Sequence, residues 1–124
     1  MFKSIVLAFA VFLVGQIFAS PVEATNCGYS KCWGAVGFGP GGARAYAHSY
    51  SSERKAINSV KRNCEYDCTV IKTFYNTCGA IAAGHRNGWG WGWAPTRAAA
   101  ERTALRYCRQ NTYNCSIRAW SCSR

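Results

Sequence analysis

Eight cysteines, all between Cys27 and Cys122 of a 124-residue chain, constrain the fold more than any other feature. That density in so short a sequence belongs to a disulfide framework formed outside a reducing cytosol. The even count leaves no thiol over for a catalytic nucleophile. Two CxxC pairs are absent and neither His48 nor His85 falls at zinc-finger spacing, so no metal site is expected. GxSxG, HExxH and P-loop patterns are missing as well, and no cofactor is implied.

Residues 1–24 explain how such a chain reaches an oxidising compartment. Lys3 precedes an apolar run from Ile5 to Val14, and Val22-Glu23-Ala24 ends on a small residue. This is the pattern of a cleaved signal peptide. The run is too short for a span, which needs roughly 18–20 apolar residues, so no transmembrane segment is expected after processing. Ala-Thr-Asn before Cys27 is not a lipid-attachment pattern. Export to the periplasm or beyond the cell is therefore expected. Lys3 and Glu23 leave together, so residues 25–124 keep the net charge of +10. A domain of that size buries only about 60–70% of its unfolded surface, which makes covalent staples useful.

The remaining residues are written twice. Ser52 to Cys64 and Thr96 to Cys108 each begin with a hydroxyl residue suited to an N-cap and end in cysteine. Within them, Ala56, Val60 and Cys64 correspond to Ala100, Ala104 and Cys108, sets spaced to lie on one helical face. Trp33-Gly34-Ala35-Val36-Gly37-Phe38 likewise corresponds to Cys78-Gly79-Ala80-Ile81-Ala82-Ala83. Strands are expected near 33–38, 44–50 and 68–75, and again near 79–83, 89–93 and 115–121, with Gly39–Gly42 and Gly84–Gly88 as hairpin loops. The expected fold is α+β and disulfide-stabilised. Two ββαβ-like repeats, about 32–77 and 78–124, would share one mainly antiparallel sheet with both helices on one face. Residues 25–124 would then form one duplicated domain.

Eight cysteines allow about a hundred pairings. The same helix-to-strand corner carries two cysteines in each copy, which favours Cys64–Cys68 and Cys108–Cys115. Cys78 and Cys122 each follow a third strand and are expected to tie the repeats together, leaving Cys27–Cys32 to close the N-terminal loop.

The run from Cys78 to Ala82, the following Gly88-Trp89-Gly90-Trp91-Gly92-Trp93-Ala94-Pro95-Thr96-Arg97, the first-copy Trp33-Gly34-Ala35 and the closing Arg118 to Cys122 carry a family likeness. Over roughly residues 32–124 the chain resembles a bacterial family of secreted proteins known as domain of unknown function 4189. The first hairpin, Ala45 to Tyr50, and the cysteines Cys27 and Cys32 depart from that pattern. The resemblance implies export and a small globular domain, and it brings no catalytic residues.

Three groups of side chains are candidates for function. Trp89, Trp91 and Trp93 alternate with Gly90 and Gly92, so in a strand the indoles share one face and leave the other bare. They form either an aromatic platform for sugar rings or bases, or core area laid against the small Ala100 and Ala104. Arg97, Arg102, Arg106 and Arg109 recur along the second helix, and the chain has ten arginines in all. Guanidinium forks suit carboxylates and phosphates, so an anionic envelope polymer, a nucleic acid or an acidic protein is the expected partner class. His48 and His85 could serve ribonuclease-type acid–base cleavage only if the fold brought them together. Non-enzymatic binding of an anionic macromolecule or a protein partner, in the manner of an effector or inhibitor, is the favoured reading. A secreted hydrolase of nuclease type and a structural envelope component are its alternatives.

Overall fold

In a computed structural model that describes residues 26–124, the order is β1 (Trp33–Phe38), β2 (Arg44–Tyr50), α1 (Glu53–Asn63) and β3 (Val70–Tyr75). It continues with β4 (Thr77–Ala83), β5 (Trp89–Ala94), α2 (Arg97–Asn111) and β6 (Ser116–Ser123). The export signal expected over residues 1–24 lies outside the described residues. Both helices start where a hydroxyl is available. Ser52 Oγ accepts from the Lys55 backbone N–H and Thr96 Oγ1 from that of Ala99, each at 3.2 Å. These bonds satisfy first-turn donors that the helix itself leaves free. Thr96→Ala is expected to cost about 1 kcal/mol. The readout is a lower denaturant midpoint at unchanged slope. An unmoved midpoint would show that water satisfies the Ala99 N–H equally well.

The strands form two separate three-stranded antiparallel sheets, β2-β1-β3 and β5-β4-β6. This corrects the expectation of one shared sheet with both helices on one face. The alternation along the central strands shows why. On β1, Ala35 faces α1 together with Ala45 and Ala47, against Ala56, Val60 and Cys64 of the helix. On β4, Cys78, Ala80 and Ala82 face Ala100, Ala104 and Cys108 of α2. The opposite faces carry Val36, Phe38 and Phe74 from the first sheet and Ile81, Ala83 and Ala119 from the second, and these pack on one another. Both faces of both sheets are apolar, so each sheet needs cover on two sides. The arrangement that supplies it is helix, sheet, sheet, helix, with α1 and α2 on opposite outer layers. Phe74 fills the middle of the sandwich. A Cβ on Gly34 would lie 2.6 Å from its ring, and one on Gly79 would also strike it, so both glycines are needed for that ring to sit between the sheets.

Four disulfides link Cys27–Cys32, Cys64–Cys68, Cys78–Cys122 and Cys108–Cys115, and no cysteine among the described residues is free. Two of them close the helix-to-strand corners after α1 and α2. Cys78 and Cys122 stand directly opposite one another on β4 and β6. Their bridge therefore staples the second sheet and does not join the two halves of the chain, which hold together through the apolar layer between the sheets. Such a set of bridges fits a chain that matures in an oxidising compartment. Among the described residues, no helix is long and apolar enough to cross a membrane.

Candidate functional site

β5 is an edge strand, and its two faces do different work. Gly90 and Gly92 face α2: a Cβ on Gly90 would lie 2.6 Å from the Tyr107 carbonyl carbon and 2.7 Å from the Ala104 oxygen, and one on Gly92 would lie 2.6 Å from Thr103. The bare face lets the helix backbone lie directly on the strand. The indoles consequently point the other way. Of the two arrangements the sequence leaves open, rings packed over Ala100 and Ala104 are therefore not the one adopted; strand backbone fills that space.

On that other face the three tryptophans differ. Trp89 and Trp91 are half-buried and pack against the layer between the sheets, whereas Trp93 is 59% exposed. The row is both core and surface, graded along the strand. Lys72 of β3 reaches across from the first sheet, its Nζ 5.1 Å from the Trp89 ring and 5.8 Å from that of Trp91, within cation–π range. Along the edge runs a groove of about 910 Å³ lined by the three indoles, Arg86, Thr103, Tyr107 and Asn111. No carboxylate lines it. Asn111 Nδ2 donates to the Trp89 carbonyl at 3.0 Å, which closes one end of the strand edge to pairing with another chain.

Trp93 also borders a second groove, of about 740 Å³, which Trp33 and Tyr75 line as well. The Trp33 and Tyr75 rings lie 5.0 Å apart, tilted by 56°, and Lys31 Nζ sits 4.9 Å from the Tyr75 centroid. Glu53 is the one carboxylate on this groove, and its Oε1 accepts from Thr73 Oγ1 at 2.9 Å. Five aromatic rings thus line two grooves that share Trp93, with lysines over three of the rings, and Trp33 also packs against the core under α1. Trp33, Tyr75, Lys31 and Lys72 come from the first half of the chain and were not candidates from sequence. Their only signal there was a lone lysine shortly before Phe74-Tyr75 in a β-type run, which a half-buried strand produces without any ligand.

The helix arginines occupy another surface. Arg97 forms an ion pair with Glu101 at 2.5 Å and stacks 3.7 Å above the Trp120 ring. Arg106 lies over Tyr107 at 5.3 Å, and Arg102 and Arg109 are exposed. Because α2 covers the glycine face of β5, these cations stand across the sheet from the indole row. Arg86, from the β4–β5 turn, is the arginine that borders the β5 groove.

The histidines are not brought together. His48 lies on β2 with Nδ1 3.0 Å from Ser49 Oγ, while His85 lies in the β4–β5 turn stacked on Tyr113 at 4.5 Å. The groove that His48 lines, between β2 and β6, does not include His85. An acid–base pair needs both groups on one substrate, so the nuclease reading loses its geometric basis.

No curated protein matches this chain in sequence. Among solved structures, the NMR structure of Rv1813c from Mycobacterium tuberculosis is similar, with a TM-score of 0.56 and 27% identity over 73% of this chain and 74% of that one. Residues 33–122, from the first residue of β1 to the second cysteine of the β4–β6 bridge, match the family described as Domain of unknown function (DUF4189), and the chain belongs to that family.

Proposed function

We propose that the protein is an exported, non-enzymatic binding domain that holds an anionic polymer along its aromatic edge. The observation that carries this reading is the row Tyr75, Trp33, Trp93, Trp91 and Trp89, flanked by Lys31, Lys72 and Arg86. Flat rings take the faces of bases or sugars, and the interleaved cations take the backbone charge. The surplus of fifteen Lys+Arg over five Asp+Glu raises the local concentration of such a ligand before any ring is touched. Residues 1–24 supply the route out of the cytosol. The equivalence of residues 32–77 and 78–124 belongs to the same proposal: two copies of one strand–strand–helix–strand unit, of which the second bears the tryptophan row.

The test is a tryptophan-fluorescence titration of the oxidised protein with a single-stranded oligonucleotide, peptidoglycan fragments and anionic lipid vesicles, each at low and high salt. Saturable quenching that weakens as salt rises is expected for one of the three. Trp93→Ala is expected to weaken that binding by about 5- to 150-fold, the loss of one stacked ring. An unchanged Kd in Trp93→Ala would take the site away from β5. A spectrum unmoved by every ligand would leave the tryptophans as core and turn the search to protein partners of Arg102, Arg106 and Arg109.

A further inference from the structure

On the side of the sandwich away from β3 and β5, the edge strands β2 and β6 border a cleft of about 910 Å³. Arg44, His48 and Asn63 line one wall and Arg118 and Trp120 the other, with Tyr46 at the rim. A smaller cavity of about 300 Å³ adjoins it and is also lined by both Arg44 and Arg118. No carboxylate lines either space. Among the described residues the one ion pair is Arg97–Glu101, so neither arginine of the cleft has a counter-charge. The Nε of Arg118 is, in addition, buried without any hydrogen-bond partner. A buried donor left unmade is costly, and a charged one more so.

The backbone delivers these groups deliberately. Along β6, Ala119 pairs with Ile81 and Ile117 with Ala82, so Arg118 is the residue that the register skips. Along β2, Tyr50 pairs with Trp33 and Ala47 with Ala35, a second irregularity that takes in His48 and Ser49, with Ser49 held at φ +65°. Ser49 N–H donates to Ser123 Oγ at 2.8 Å and pins the two irregular strands to each other. Bulges of this kind re-aim side chains beside binding sites, and here two of them face one cleft.

We infer that the β2–β6 cleft is a second binding site, specific for a phosphate monoester carried on a flat ring, with Arg44 and Arg118 holding the phosphate. The arginines, His48 and Asn63 present more donors than the two oxygens of a carboxylate can accept, whereas a phosphate offers three terminal oxygens to guanidinium forks. Tyr46, 59% exposed, supplies aromatic surface for the ring, and Trp120, with Arg97 stacked on one of its faces, borders it. The site is independent of the aromatic edge around β5, so either can fail without the other.

The experiment titrates the oxidised protein with phenyl phosphate, inorganic phosphate and benzoate, following the Arg side-chain Nε–H resonances by NMR. Phenyl phosphate is expected to shift the Arg118 Nε–H saturably, inorganic phosphate to compete more weakly, and benzoate to do neither. Arg118→Gln and, separately, Arg44→Gln are each expected to weaken phenyl phosphate binding about tenfold or more, the loss of one charge-assisted fork. Arg44 is exposed, so its variant keeps the test open should Arg118→Gln fail to fold. An Arg118 resonance unmoved at millimolar phenyl phosphate, equal binding of benzoate, or full affinity in Arg44→Gln would each overturn the assignment.

Discussion

Gly90→Ala is expected to lower the melting temperature by on the order of 15 °C, a large effect for a single methyl group. The added carbon would meet the Tyr107 carbonyl carbon at 2.6 Å, the Ala104 oxygen at 2.7 Å and the Cys108 backbone nitrogen. All three are helix backbone, which has no rotamer to change, so α2 as a whole must lift from β5. Overpacking of a core typically costs 1–3 kcal/mol, and a clash with rigid backbone belongs at the top of that range, about 3 kcal/mol. At roughly 4–8 °C per kcal/mol for a domain near 100 residues, this gives the shift quoted. Lifting α2 also uncovers Cys78, Ala80 and Ala82 of β4, which have no other cover on that face. Thermal unfolding followed by far-UV circular dichroism measures it. A fall of less than about 5 °C would mean that the helix slides along the strand at little cost.

That contact also marks where sequence reasoning stopped. The glycine–tryptophan alternation places the indoles on one face of β5 and the glycines on the other. It does not say which face meets the helix, because small residues on α2 suit large rings as readily as they suit close backbone approach. Ala100 and Ala104 are consistent with both, and only the three-dimensional arrangement selects the second. The helices themselves were legible, since Ser52, Thr96 and the three-residue sets ending in Cys64 and Cys108 all act through local chemistry. The separation into two sheets was not. It depends on both faces of β1 and β4 being apolar, and a short apolar run reads the same in one covered sheet as in a sandwich.

The candidate sites divide in the same way. Trp89, Trp91 and Trp93 form a motif along one strand and stand out in the sequence, whereas the rings and lysines that extend the row come from β1, β3 and the segment before them. Arg44 and Arg118 are separated by most of the chain and meet only because β6 lies beside β2. Arg118 next to Trp120 reads in sequence as an exposed strand residue, and the skipped pairing that turns it inward leaves no periodic trace. His48 and His85 show the converse. Their residue type suggested joint chemistry that the fold keeps apart.

Removing the Cys78–Cys122 bridge is expected to cost about 4 kcal/mol, roughly twice the loss from any of the other three, because loop-closure entropy grows with the number of residues enclosed. Its sequence separation is 44, against 4, 5 and 7 for the bridges at Cys64–Cys68, Cys27–Cys32 and Cys108–Cys115. The short bridges fix corners that are nearly closed by the chain itself. The long one encloses β5, α2 and most of β6, and holds the last strand against the centre of the second sheet. β6 supplies Ala119 to the layer between the sheets and Arg118 and Trp120 to the β2–β6 cleft. Its release would therefore disturb the cleft before the aromatic edge, whose β4–β5 pairing does not involve it. Paired alanine variants of each bridge, unfolded in guanidinium chloride, give the comparison. Equal losses from Cys78/Cys122 and Cys64/Cys68 would show that local packing, rather than the length of chain enclosed, sets what these bridges contribute. A fluorescence titration of the Cys78/Cys122 variant that retains polymer binding while losing phenyl phosphate would separate the two edges of the sandwich in one molecule.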